Sequence, residues 1–155
     1  MNDEQTAEGT TTVTGESTTQ DADIARVAVD KLGFSHDQIV QEYGWDEDTD
    51  ENLRRAVEAV VGNELEDEDY TGVVDAVILW WRDGDGDLTD ALVDTLGTLA
   101  EGSSIVLVTP RPGQQDEVDP AEVSEAARTA GLHTSGSVMC SEQWVATRLA
   151  VRKGL

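Results

Sequence analysis

Two short, almost continuous apolar runs constrain this chain more than any other feature: Val73 to Trp80, interrupted only by Asp75, and Ser104 to Thr109, which is Ile, Val or Leu between its polar ends. A strand with apolar side chains on both faces must be covered on both, and a parallel sheet clothed by helices supplies that cover. Leu88, Ala91, Leu92, Leu96 and Leu99 stand between the runs with helical spacing, behind the loop Asp83 to Asp87. Strand, helix and strand in that order make a right-handed crossover unit, so the runs are expected parallel in one sheet, with Val73 to Trp80 at the sheet centre.

The rest of the chain extends the pattern. Ile24, Val27, Ala28 and Leu32 form a helical stripe after Asp21 or Asp23 as cap, and Gly33 closes it. Leu53, Ala56, Val57, Val60 and Val61 form another, with Asp48 and Glu51 at capping-box spacing and Gly62 as the stop. Asp119-Pro120-Ala121-Glu122 opens a helix that turns Val123, Ala126, Ala127 and Ala130 inward and stops at Gly131. Gln38 to Glu42 reads as a short strand and Asn63 to Leu65 as a brief edge strand. Thr134 to Cys140 and Val145 to Val151 read as a closing hairpin. The expected fold is α/β: an open, mainly parallel, Rossmann-like sheet with flanking helices and a C-terminal antiparallel hairpin.

Residues 1–20 hold almost no large apolar side chain and cannot recover the entropy of ordering, so the expectation is a disordered, acidic, Thr-rich tail followed by a single domain over 21–155. If the tail is a recognition segment, Thr10, Thr11, Thr12 and Thr14 are its phosphorylation sites; otherwise it serves solubility.

The formal net charge of −23 repels phosphate backbones, which argues against direct nucleic-acid binding and leaves an unknown, basic protein partner or simple solubility as its use. Asn2, Asp3 and Glu4 do not begin a secretion signal, and the run Ala76 to Trp81 is far short of the ~20 residues that span a bilayer. A cytoplasmic location without membrane contact is expected. The single cysteine, Cys140, has no partner for an internal disulfide.

From Lys31-Leu32-Gly33-Phe34 onward the chain carries Gln41-Glu42-Tyr43-Gly44-Trp45-Asp46-Glu47-Asp48, Asp75-Ala76-Val77-Ile78-Leu79-Trp80-Trp81-Arg82, Ile105 to Pro110 and Ser141 to Leu149. Over roughly residues 22–153 these segments resemble the actinobacterial family called domain of unknown function 3052. That resemblance implies no particular activity. The order Asp75-Ala76-Val77, Glu101-Gly102, Ile105 to Val108, Ala130-Gly131-Leu132 and a hairpin is also similar to the carboxy-terminal half of the S-adenosylmethionine-dependent methyltransferase fold. The resemblance implies a cofactor crevice at the end of the first strand, where such enzymes have several glycines. Here Tyr43-Gly44-Trp45 offers one glycine and two bulky rings, and the acidic ribose-binding residue would have to be Glu64 or Glu66. The scaffold is therefore expected to be degenerate, with no bound cofactor.

Asp83, Asp85, Asp87 and Asp94 take the first, third, fifth and twelfth places of a calcium loop. Leu88 stands where its turn needs glycine and Asp94 where it needs Glu, so a polar loop and helix cap are the expectation. Asp46, Asp48 and Asp50 are read as a solvated helix start. His36, His133 and Cys140 are too scattered for a metal site or a catalytic set. The remaining candidate is positional: Tyr43 and Trp45 leave one parallel strand at its carboxyl end, and Trp80, Trp81 and Arg82 leave another, at the edge where open α/β sheets bind ligands. These rings either frame a cleft or fill the volume a cofactor would take, and the burial energy of indoles favours filling. The function expected is a noncatalytic binding or regulatory domain; the alternative is an enzyme or small-ligand receptor using that aromatic edge.

Overall fold

The computed structural model describes residues 13–151. Its elements run α1 (Val13–Leu32), β1 (Val40–Tyr43), α2 (Glu51–Val61), β2 (Val74–Trp80), α3 (Leu88–Leu96), β3 (Leu99–Pro110), α4 (Pro120–Thr129), β4 (Leu132–Met139) and β5 (Trp144–Val151). The strands form one five-stranded sheet in the order β1-β2-β3-β5-β4. β1, β2 and β3 are parallel, while β5 runs antiparallel to both β3 and β4. The expected α/β sheet with a terminal hairpin is the fold observed. β3 holds the middle of the sheet, and β2, expected there, lies beside it.

Period-two alternation divides β2 between two cores. Ala76, Ile78 and Trp80 join Ala28, Val29 and Leu32 of α1 and Leu53, Val57 and Val61 of α2 on one face. Val77, Leu79 and Trp81 join Leu88 and Leu92 of α3 and Val123, Ala126 and Ala127 of α4 on the other. Val74 breaks the alternation and sides with Val77 and Leu79, because the pairing with β3 shifts between Val74 and Ala76. Asp75, the polar interruption in the run, accepts a hydrogen bond from Ile39 N at 2.8 Å and ties the approach of β1 to β2.

The ends of several elements differ from the sequence reading. α1 begins at Val13, before the cap expected at Asp21 or Asp23, because lengthening a formed helix costs far less than nucleating one. Residues 13–20 of the expected tail, Thr14 included, thus lie within a helix, while Thr10, Thr11 and Thr12 lie outside the described residues. The buried stripe of α1 is Ala25, Ala28, Val29 and Leu32, leaving Val27 half exposed. Leu99 starts β3 and is not part of the preceding helix, which ends at Leu96. Asn63 to Leu65 form no strand; the outer edge of β1 is met instead by a bridge at Glu66, whose N–H and C=O bond to Val40 and Glu42, each at 2.8 Å.

Helix caps follow local chemistry. Asp87 accepts from Asp90 N, and Asp119 from Ala121 N with Pro120 at the first turn. Gly62, at φ 81°, ends α2 with its N–H on Glu58 O. At the start of α2 the cap is Asp50, not Asp48, and its side chain makes no capping bond. Among the described residues no helix is long and apolar enough to cross a membrane.

Candidate functional site

β1 delivers Glu42 and Tyr43 to the carboxyl edge of the parallel strands, and β2 delivers Trp80, Trp81 and Arg82 beside them. Glu42 is the first surprise of the region: a carboxylate only 5% exposed, on the same core face as Trp80. A buried charge needs a partner and hydrogen bonds. Arg54, one turn into α2, supplies both through Nε and Nη2 at 2.8 and 2.9 Å, and Trp80 Nε1 donates a third bond at 2.8 Å. Arg54 Nη1 also reaches Glu51 at 3.0 Å. The hydrogen bonds that Arg54 donates to Glu42 hold its guanidinium well above its ordinary pKa, against the opposing effect of burial.

Trp80 is fully buried and stands edge-on to Trp144, with centroids 5.1 Å apart and planes at 80°. Trp144 begins β5, so this contact pins the hairpin to the end of β2. Its Nε1 donates to Asp48 O at 3.2 Å. Over its ring, 5.4 Å from the centroid, lies the Arg82 guanidinium.

Arg82 closes the region from above. Its Nη2 and Nε bond to the Asp48 carboxylate at 2.6 and 3.0 Å, and its Nη1 donates to Gly44 O at 3.0 Å. Burial opposes the charge on Arg82, but the hydrogen bonds and charge of Asp48, with Asp85, outweigh it and hold the pKa above the usual value. The same hydrogen bonds hold the Asp48 carboxyl below its ordinary range. Gly44, at φ 79°, lies so close to β2 that a Cβ there would overlap the Trp80 carbonyl oxygen. The turn after β1 is thus seated on the end of β2, and the glycine serves that contact.

The five residues expected at this edge do not share one cleft. Trp80 belongs to the α1–α2 core, Trp81 to the α3–α4 core with Tyr43 packed against it, and Arg82 bridges the loops above. Trp45 alone presents a broad surface, 52% exposed with Arg54 6.0 Å from its ring centroid. Residues that carry the arrangement but were not singled out in the sequence are Glu42, Arg54 and Trp144, while Asp48, read there as part of a solvated helix start, is instead bound by Arg82. A carboxylate in alternation with Val40 on one face of a short strand was the available signal for the first; the others act across distances that local spacing does not encode.

Beside Trp144, between the turn before α2 and the hairpin tip, lies a cleft of about 190 Å³ lined by Asp21, Asp48 to Asp50 and Ser141 to Trp144. Asp50 Oδ2 is buried without a hydrogen-bond partner, and burial, with the charges of Asp21 and Glu51 adding, raises its pKa. Cys140, at the hairpin turn, is fully buried, which pushes its thiol up.

The other sequence candidates are dispersed. Asp85 turns its carboxylate onto Arg82 N at 3.0 Å, and Asp87 caps α3. His36 lies in the turn before β1 and His133 on β4. Glu66 spends its backbone on the bridge to β1, and buried Gln41 holds the loop behind it through bonds from Nε2 to Asp67 O and Tyr70 O at 3.0 and 2.9 Å. The described residues therefore place a loop, not a second strand, at the outer edge of β1.

Residues 29–153 match the family described as "Protein of unknown function (DUF3052)". The chain belongs to this family. It is 52% identical over 139 residues to the uncharacterized protein Rv2239c of Mycobacterium tuberculosis and, equally, to the uncharacterized protein Mb2263c of Mycobacterium bovis, the match covering 90% of this chain and 87% of each relative. Its fold is similar to that of geranyl diphosphate C-methyltransferase from Streptomyces coelicolor, with a TM-score of 0.66 at 13% identity over 97% of this chain and 88% of that one. Magnesium protoporphyrin IX methyltransferase from Synechocystis is similar at a TM-score of 0.56 and 11% identity, over 93% and 86% of the two chains. At such identities the likeness is one of fold, and a shared fold does not carry chemistry with it.

Proposed function

We propose that this DUF3052 chain is a noncatalytic binding domain on a degenerate methyltransferase scaffold, with its own residues occupying the crevice at the strand ends. The observation that carries this reading is the seating of Gly44 on the Trp80 carbonyl, locked by Arg82 across Gly44 O, Asp48 and the Trp144 ring. A nucleoside cofactor approaching the end of β1 needs free backbone amides and space there. Gly44 N instead donates to Glu68 Oε2 at 2.9 Å, and the indoles of Trp80 and Trp144 take the volume below. The partner envisaged is a protein in the cytoplasm; a net charge of −23 disfavours nucleic acid and anionic membrane surfaces.

Isothermal calorimetry of the full chain with S-adenosylmethionine tests the reading. No saturable heat is expected up to millimolar ligand. Stoichiometric binding in the micromolar range would sink it and favour the rival, an enzyme or small-ligand receptor. That rival draws on Trp45, the one ring of this edge that is largely open to solvent.

A further inference from the structure

All three prolines of the chain, Pro110, Pro112 and Pro120, line a single groove of about 300 Å³ on the α4 side of the sheet. Pro110 ends β3 and Pro120 begins α4, so the groove opens at the carboxyl end of the central strand and runs under the first turn of α4 to the hairpin. Val123 of α4 and Val145 of β5 give it apolar walls, and the rest of the lining is Val, Ser and Thr. None of its lining residues is charged, on a chain with 33 Asp and Glu. Three other surface clefts all carry carboxylates: the one beside Trp144, one at the start of α3 with Asp87, Glu122 and Glu125, and one between α1 and β4 with Asp23.

We propose that this groove is a preformed binding site for a compact, uncharged small molecule with an apolar body and hydrogen-bonding substituents. Lack of charge is the argument for the ligand class. A cationic ligand would be better served by the carboxylates of the three clefts just named, and an anion would find no guanidinium or ammonium here. Either would lose its hydration without compensation, whereas a neutral body is desolvated cheaply. Hydroxyls of Thr109, Ser124 and Thr134 at the lining can each donate or accept, which orients such a body without selecting its charge. Ser137 and Thr147 already face each other at 3.0 Å across the hairpin, so that wall is set before a ligand arrives.

Rigid walls favour a small occupant in the same way. Proline fixes φ, so the backbone at three points of the rim has little to lose on binding. The volume is at the lower end of the ~300–1,000 Å³ of known ligand sites. A second copy of the chain is a poorer occupant, because two bodies of charge −23 repel and the groove offers no countercharge. The site goes beyond the closed crevice of the proposed function, and either can fail without the other.

The test is fluorescence titration of the full chain with Nile red, a neutral apolar dye, alongside the anionic dye 1-anilinonaphthalene-8-sulfonate. Saturable one-to-one binding of Nile red is expected, at least ten-fold tighter than the sulfonate. Ser124→Trp and, separately, Thr134→Trp, both at exposed positions on the rim, should each weaken Nile red at least ten-fold with melting curves unchanged. Val27→Ser, in the groove between α1 and β4, should leave the affinity as it was. Absent saturation, equal affinity for the two dyes, or loss of binding in the Val27 variant but not the rim variants overturns the proposal. So does a dimer in sedimentation that Ser124→Trp dissociates, since the groove is then an interface between copies.

Discussion

Gly44 and Trp80 meet backbone to backbone: the turn that leaves β1 rests on the carbonyl that ends β2, with no room for a Cβ between them. The Arg82 bond to Gly44 O holds the same contact from the other side. Gly44→Ala should therefore cost twice, through a left-handed φ that a side chain resists and through overlap with the carbonyl. A loss of at least about 2 kcal/mol is expected, read as a lower denaturant midpoint at unchanged m-value. An Ala variant as stable as the parent would mean that the turn can lift away and the crevice can open.

The buried ion pair should behave as a unit. Arg54→Met leaves Glu42 charged, nearly inaccessible and held only by the Trp80 indole, which should cost about 3–5 kcal/mol. Replacing both members with methionine removes the charge as well as its partner, so the double variant should be markedly more stable than the sum of the single losses predicts. A thermodynamic cycle over Glu42→Met, Arg54→Met and the pair gives the coupling directly. Coupling below about 0.5 kcal/mol would mean that the pair is solvated in solution.

Trp80 and Trp81 are adjacent in sequence and belong to different cores. Each truncation to Ala should therefore destabilise, by about 3–5 kcal/mol for a ring of this size. The two losses should come close to adding, since the sheet separates the cavities they leave. Urea melts of both variants and their combination check this. If both keep the parental melting curve while a ligand or partner is lost, this edge is the functional site and the closed-crevice reading is wrong.

What the sequence made legible was periodic. Leu53, Val57 and Val61 announce α2, the runs around Ile78 and Ile105 announce doubly covered strands, and Asp119-Pro120 announces α4, because each rests on spacing within a few residues. The same local logic misassigned Leu99, which continues a helical stripe by spacing yet pairs with Val74 in the sheet. Alternation alone puts Val74 on the face of Ala76, and it cannot foresee the shift in pairing that sets Val74 on the other face. The candidate edge was found but its organisation was not. Glu42 meets Trp80 across 38 residues and Arg82 meets Asp48 across 34, and no periodicity links them. The capping-box spacing of Asp48 and Glu51 is real, but both carboxylates are taken by arginines, leaving Asp50 at the cap.

Asp50 gives the last prediction. Its Oδ2 is buried without a donor, and burial raises its pKa above the model-compound value of 3.8. A carboxyl whose folded pKa is raised favours the fold when protonated, so its contribution is fully present below about 3.8 and is lost as pH rises through the folded value. At neutral pH the ionised Asp50 therefore works against folding. Its position at the start of α2, where the helix dipole favours an anion, offsets only part of this. Asp50→Asn removes the charge and keeps a residue that caps as well as Asp. The variant should melt above the parent at pH 7, and its advantage should shrink steadily as the pH is lowered toward 3.8. Asp48 titrates in the opposite sense, its lowered pKa giving stability that is lost in acid, but it is common to both proteins and cancels in the difference. Paired thermal melts from pH 3.5 to 8 make the measurement. An advantage that is absent at pH 7, or that stays constant down to pH 3.5, would show that Asp50 finds a partner and is no longer the strained group at the mouth of the cleft beside Trp144.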